Sequence, residues 1–154
     1  MTTETTKVDK HNLLYRLGFL TRRWRQVLDS AFQSLGVTDA AWRPLLHLHH
    51  LGDGIRQKDL AASLGIEGPS LTRILDQLIA KGLIERSEDA SDRRAKLLAL
   101  SPQGRAMVTE ITGKVAALEH DLLSSFGDAE IEQMSSFVER LETRLQETRA
   151  RLKG

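Results

Sequence analysis

The chain has 154 residues, 40% of them apolar and 28% charged, with 22 Lys and Arg against 21 Asp and Glu; this is enough for one ordinary domain with its own core and excludes a disordered polyelectrolyte. It contains no cysteine, which rules out a disulfide framework, a thiolate nucleophile, Cys-ligated zinc and cysteine-based redox sensing. Residues 1–10 are polar rather than signal-like and no run approaches the roughly 18 apolar residues of a membrane span, so the expectation is a cytoplasmic protein without membrane contact.

Leu13, Leu17, Leu20, Trp24, Val27, Ala31 and Leu35 follow one another at helical steps and predict a first helix that Gly36 stops. Thr38, followed by Asp39, Ala40 and Ala41, looks like the N-cap of a second helix. That helix runs through Trp42, Leu45, Leu48 and Leu51 until Gly52-Asp53-Gly54 ends it. Residues 56–64 read as a short helix with Leu60, Ala61 and Leu64 inside, and Gly65 stands where a left-handed terminating residue is wanted. Ile66, Glu67 and Gly68 make a turn. Pro69 then fits the first turn of another helix, whose Leu71, Ile74, Leu75 and Leu78 point inward until Lys81-Gly82. Residues 83–86 and 95–100 flank a polar stretch, 87–94, and read as a hairpin with a long tip. Two helices complete the chain, one carrying Ile111, Val115, Leu118 and Leu122, the other Ile131, Met134, Phe137, Leu141 and Leu145, with Gly127-Asp128 between them.

Helix, turn, helix, hairpin is the order of a winged helix-turn-helix. The expected fold is mainly α, with a two-stranded β wing and a helical dimerisation arm built from the N- and C-terminal helices. The division is 1–36, 37–104 for the winged unit, and 105–154. The apolar stripes of the arms run beyond what the small central unit can cover, and a second copy of the chain is the simplest cover.

The near-neutral total hides how charge is distributed. Residues 1–52 carry 7 basic and 4 acidic side chains, 53–105 carry 9 and 8, and 106–154 carry 6 and 9. Only placement can therefore make the middle segment a nucleic-acid surface. On its second helix Ser70, Arg73 and Gln77, spaced 3 and 4 apart, share the face opposite Leu71, Leu75 and Leu78. In a major groove a helix N-terminus and a serine hydroxyl suit phosphate, arginine reads guanine and glutamine reads adenine; the plain alternative is a solvated face. At the hairpin tip Arg93, Arg94 and Lys96 gather beside Asp92. An arginine is drawn to the negative potential of a narrow minor groove, and Asp92 is expected to clamp the guanidinium through a paired hydrogen bond. Glu88 and Asp89 nearly balance that charge, so a tip selected for solubility is the competing reading.

Gly65-Ile66-Glu67-Gly68-Pro69-Ser70-Leu71-Thr72-Arg73, with Asp92-Arg93-Arg94-Ala95-Lys96 and Leu100-Ser101, resembles the MarR family, its SlyA-like branch most of all. The wing signature of that family (Asp, any residue, Arg, five residues, Leu, then Ser or Thr) is matched at Asp92, Arg94, Leu100 and Ser101. The likeness covers 24–101 in sequence and extends to both ends in helix arrangement. It implies a homodimeric transcriptional regulator, a repressor in this family's usual mode, with recognition helices in successive major grooves of a pseudo-palindromic double-stranded operator. Pro69, Ser70, Thr72, Arg73 and Gln77 would then belong to the helix contact, with Arg94 in the minor groove, Asp92 supporting it, Arg93 on phosphate and Lys96 beside them.

The resemblance also implies a small aromatic acid or related metabolite as effector. Arg22 and Arg25 beside Trp24, with Trp42, Leu46 and His49 on the second helix, are the matching residues; the alternative is that the tryptophans are core or interface. His47, His49 and His50 offer a second option, a zinc-responsive regulator, because His47 and His50 lie one turn apart. No Gly-rich phosphate loop, acid pair beside a histidine or nucleophile elbow is present, so no enzyme and no cofactor are expected. A helical protein-interaction module is the remaining class, and the tip arginines argue against it.

Overall fold

The computed structural model describes residues 11–37 and 40–154. The cap expected at Thr38 and Asp39 and the polar segment 1–10 lie outside the described residues. Helix α1 (Leu13–Phe32) passes through a short 3-10 turn, Gln33–Leu35, into Gly36, which takes a left-handed conformation with φ 69°. Helix α2 (Trp42–Leu51) follows, then strand β1 (Ile55–Arg56), helix α3 (Gln57–Leu64) and helix α4 (Gly68–Ala80). Strands β2 (Ile84–Glu88) and β3 (Lys96–Leu100) form the hairpin, and helices α5 (Pro102–Leu123) and α6 (Asp128–Lys153) end the chain. The fold is mainly helical around a winged helix-turn-helix.

The hairpin is joined by a third strand that has no sequence counterpart above. The sheet order is β1-β3-β2, antiparallel throughout, with Ile55 opposite Leu98 and Arg56 opposite Leu97. Two residues cannot show a period-2 pattern, and this is why Arg56 reads as the start of a helix in sequence. β2 also extends to Glu88, paired with Lys96, so the tip is shorter than the polar stretch.

The chain divides into two compact units that meet between Val115 and Ala116. In the first, the fully buried side chains include Phe32 of α1, Leu45 and Leu48 of α2, Leu60 of α3, and Leu71, Leu75 and Leu78 of α4, with Ile84 and Leu98 of the sheet and Val108 and Ile111 of α5. Each contributes about 1.5–3 kcal/mol by leaving water. α5 can start where it does because residue 104 is glycine: a Cβ there would stand 2.0 Å from the Leu83 carbonyl oxygen. Ser101 fastens the same corner. Its buried hydroxyl donates to the Gly82 carbonyl and accepts the Gly104 amide at 3.0 Å. The wing-signature positions Leu100 and Ser101 are thus core and helix cap.

Burial on α1 differs from the periodic stripe. Leu28 and Phe32 face the core, whereas Leu13, Leu20 and Val27 of the stripe are exposed and Trp24 is half-buried. In the second unit, Glu130 caps α6 by accepting the Gly127 amide at 2.9 Å. None of the 26 residues of α6 is buried. Among the described residues no helix is long and apolar enough to cross a membrane.

Candidate nucleic-acid interface

Helix α4 begins sharply because Glu67 is extended, with φ −74° and ψ 149°, and Pro69 follows in the first turn. Leu71, Leu75 and Leu78 are at most 1% exposed and anchor one face. The opposite face carries Pro69, Ser70, Arg73 and Gln77, all exposed, as the spacing requires. Thr72 is a correction. It is half-buried, its hydroxyl accepts the Gln57 amide Nε2–H at 2.9 Å and donates to the Gly68 carbonyl at 3.0 Å. The hydroxyl proton and one of its lone pairs are thus spent on joining α3 to α4. Gln57, which completes that joint, has no motif signal in the sequence. Behind α4, Arg86 of β2 donates to Asp76 at 3.0 Å and ties helix to wing.

The wing tip is closed by its own backbone. The Asp89 amide donates to Ala95 at 3.1 Å, Asp92 to Asp89 at 3.2 Å, and Ala95 to Asp92 at 2.9 Å. Asp89 Oδ1 accepts the amide and hydroxyl of Ser91 at 3.0 and 2.8 Å, while Oδ2 meets the Arg56 guanidinium at 2.9 Å. The Ser91 amide first, then its hydroxyl and Arg56, hold the Asp89 carboxyl below its ordinary range against the opposing effect of desolvation. Asp92 also corrects an expectation: its Oδ1 accepts the Arg94 backbone amide at 3.0 Å rather than pairing with the guanidinium. The acid shapes the loop and leaves the Arg94 head exposed, as is Arg93. Lys96 is tied to Glu88 at 3.1 Å, which offsets its charge.

Between wing and helix pair lies a cleft of about 310 Å³ lined by Arg56, Gln57, Lys58, Ala61, Gly68, Arg94, Ala95 and Lys96. Four of those eight residues are cationic. Lys58 and Arg56 escaped the sequence reading because they sit on α3 and β1, and only folding brings them opposite the tip.

The residues assigned to an effector line neither this cleft nor a second, smaller one. Trp42 is buried, its ring meets Phe32 edge-on at 5.2 Å, and its indole N–H donates to Asp29; the expectation of an open indole converging with Arg22 and Arg25 is corrected. Arg22 lies over the Phe19 ring at 5.5 Å. Arg25 is exposed and close enough to Arg43 that, after burial, it is the next cause holding Arg43 below the ordinary arginine value, with Asp29 opposing. Leu46 is half-buried and His49 exposed. A second cleft, about 230 Å³, runs beside Gly36, Leu78, Lys81 and Met107 and includes none of these residues. The three histidines of the zinc option sit in different surroundings in this chain. His47 Nδ1 is hydrogen-bonded to Ser63 Oγ at 2.9 Å, His49 and His50 are exposed, and among the described residues no three metal-ligating side chains come together. Burial, then Arg43 and His50, push the His47 pKa below its usual value.

A helix pair with one outward polar face, a cation-tipped hairpin and helical extensions define the winged-helix class of regulator. The model of the MarR family matches residues 35–95. The transcriptional regulator PA3341 is 34% identical, with 88% of this chain and 98% of that one covered and a TM-score of 0.78. MepR of S. aureus, in its complex with DNA, is 27% identical over 89% of this chain and 98% of its own, with a TM-score of 0.71. SlyA, at 21% identity, 88% and 95% coverage and a TM-score of 0.76, shares the fold. The chain belongs to the MarR family.

Proposed function

We propose that the protein is a homodimeric, cytoplasmic repressor that binds a pseudo-palindromic DNA site, and that a small aromatic or carboxylate effector changes its operator affinity. The winged unit, 37–104, reads DNA, while 1–36 and 105–154 supply the dimer. No bond is made or broken in this function. The observation that carries the reading is the pairing of the exposed α4 face with the wing tip in one compact unit. Among the described residues, the Arg73, Arg93 and Arg94 guanidinium groups and the Gln77 amide have no hydrogen-bond or ion-pair partner. Cations left unpaired next to a helix N-terminus fit a phosphate-rich duplex, and the MepR complex supports the same use of the fold.

The dimer rests on the apolar side chains left in water. α6 exposes Met134, Phe137, Val138 and Leu145, and α1 exposes Leu13, Phe19, Leu20 and Val27. A helix of 26 residues that buries none of them in one chain needs a cover. In this reading the effector's carboxylate meets Arg22 or Arg25, exposed on α1, and Leu46 and His49 of α2 are the other candidate residues. It acts only through unequal affinity for two spacings of the recognition helices, one matching successive major grooves.

Titration at fixed salt against a duplex selected from a random pool, and against a scrambled duplex, tests the DNA reading. Arg73→Ala should weaken the selected site by about 1–3 kcal/mol and relax base choice. Arg94→Ala should weaken binding most where the sequence under the wing narrows the minor groove. Equal binding by parent and variants would contradict the reading and favour a protein-interaction role.

A further inference from the structure

Within the basic cleft the four cations are not equivalent. Arg56 is committed to Asp89 at 2.9 Å and Lys96 to Glu88 at 3.1 Å. Lys58, exposed at the start of α3, and the Arg94 head, exposed on the wing, have no acidic partner among the described residues. The two free cations line the same cleft from different elements, and Gly68 at the start of α4 lines it too. A cleft of about 310 Å³ with two uncompensated cations suits a singly charged group, and a DNA backbone presents such groups at fixed intervals.

The cleft also has a device that sets its width. β1 pairs with β3 only at Leu97 and Leu98, so the hairpin beyond Leu97 overhangs the sheet. Arg56 reaches that overhang from β1, 33 residues away in sequence, and takes hold of Asp89. Asp89 in turn grips Ser91 and closes the tip onto Ala95. A pull on this carboxylate is therefore transmitted to the loop that carries Arg94.

We propose that the cleft seats one DNA-backbone phosphodiester, on the edge of the minor groove that the wing enters, between Lys58 and Arg94, so that Arg94 meets the groove and its bordering phosphate together, and that Asp89, through Arg56, is the positioning residue that holds the wing at the distance this seat requires. The inference rests on the reading that α4 and the wing face DNA; it adds the contact between them. Asp89 does not touch the nucleic acid. It is an acid retained beside a polyanion, which simple charge counting disfavours.

That sign makes the test decisive. Asp89→Asn removes a negative charge and frees Arg56, so electrostatics alone predicts tighter binding to any duplex. The proposal predicts weaker binding, by about tenfold at fixed salt, because the seat is lost along with about one phosphate contact. The Asn keeps an oxygen for the Ser91 amide, so the melting temperature should stay near that of the parent. Lys58→Ala should lower the slope of log K against log salt concentration by about one, equally on selected and scrambled duplexes. In the Lys58→Ala background Asp89→Asn should cost little more, since both act on one contact. Tighter or unchanged binding by Asp89→Asn, or an unchanged salt slope for Lys58→Ala, would overturn the proposal even if Arg73→Ala behaves as expected. A parent protein that binds no duplex would overturn both the proposal and the reading beneath it.

Discussion

The residues of this protein separate into those that hold the reader and those that are left free to read. Arg73 and Gln77 were recognisable from spacing alone, since Leu71, Leu75 and Leu78 fix which side of the helix is buried. Thr72 was not, because the hydroxyl could serve either face until Gln57 was brought beside it. The same limit hid Asp89: in sequence it merely balances charge, in space it joins Arg56 to the wing. Ser101 and Gly104 form a closely packed joint. Ser101→Ala should cost about 1–3 kcal/mol by leaving the buried Gly104 amide and the Gly82 carbonyl without the hydroxyl. Gly104→Ala should cost at least as much, because the added methyl meets the Leu83 carbonyl. Shifts in the denaturant midpoint check both.

His47 supplies a pH-dependent residue-scale prediction. Burial lowers its folded-state pKa below the unfolded value, so the unfolded chain binds the proton more readily. Its stabilising contribution is complete above the ordinary histidine range and is lost as the pH falls through the lowered folded value. His47→Gln should flatten the stability profile between about pH 7 and 5. An unchanged profile would show that burial of His47 has no such effect.

At the scale of elements, helices were easier to read than strands. Gly65 ended α3 in the left-handed conformation expected of it, φ 67°, and Pro69 opened α4. β1 is two residues long and owes its existence to the edge of β3, a long-range partner with no local pattern. The α1 stripe was legible, but Leu13, Leu20 and Val27 of it stay exposed in the single chain, while Leu28 and Phe32 do the packing. Periodicity finds an apolar face without saying what covers it. The joint substitution Met134→Lys and Phe137→Lys on α6 tests the proposed cover. It should retain helical content and raise the dimer dissociation constant by about tenfold or more, since buried unpaired charge opposes association. Unaltered association measured by sedimentation velocity would place the interface elsewhere.

For the molecule as a whole, the winged helix-turn-helix and the MarR family were within reach of the sequence because their signals are local: turn residues at fixed offsets, one helix with a clean polar face, and a short wing motif. Effector residues were not. They depend on which of several arginines and tryptophans meet, and Trp42 spends its indole on Asp29 inside the fold. The account joins two halves, a reader with unpaired cations and helices whose exposed apolar faces are proposed to be covered by a second chain. Sedimentation equilibrium of the protein with its selected duplex tests both together. The predicted result is a free species of twice the 17.2 kDa chain mass and a complex holding two chains per duplex; single chains in solution, or a duplex that carries none, would contradict it.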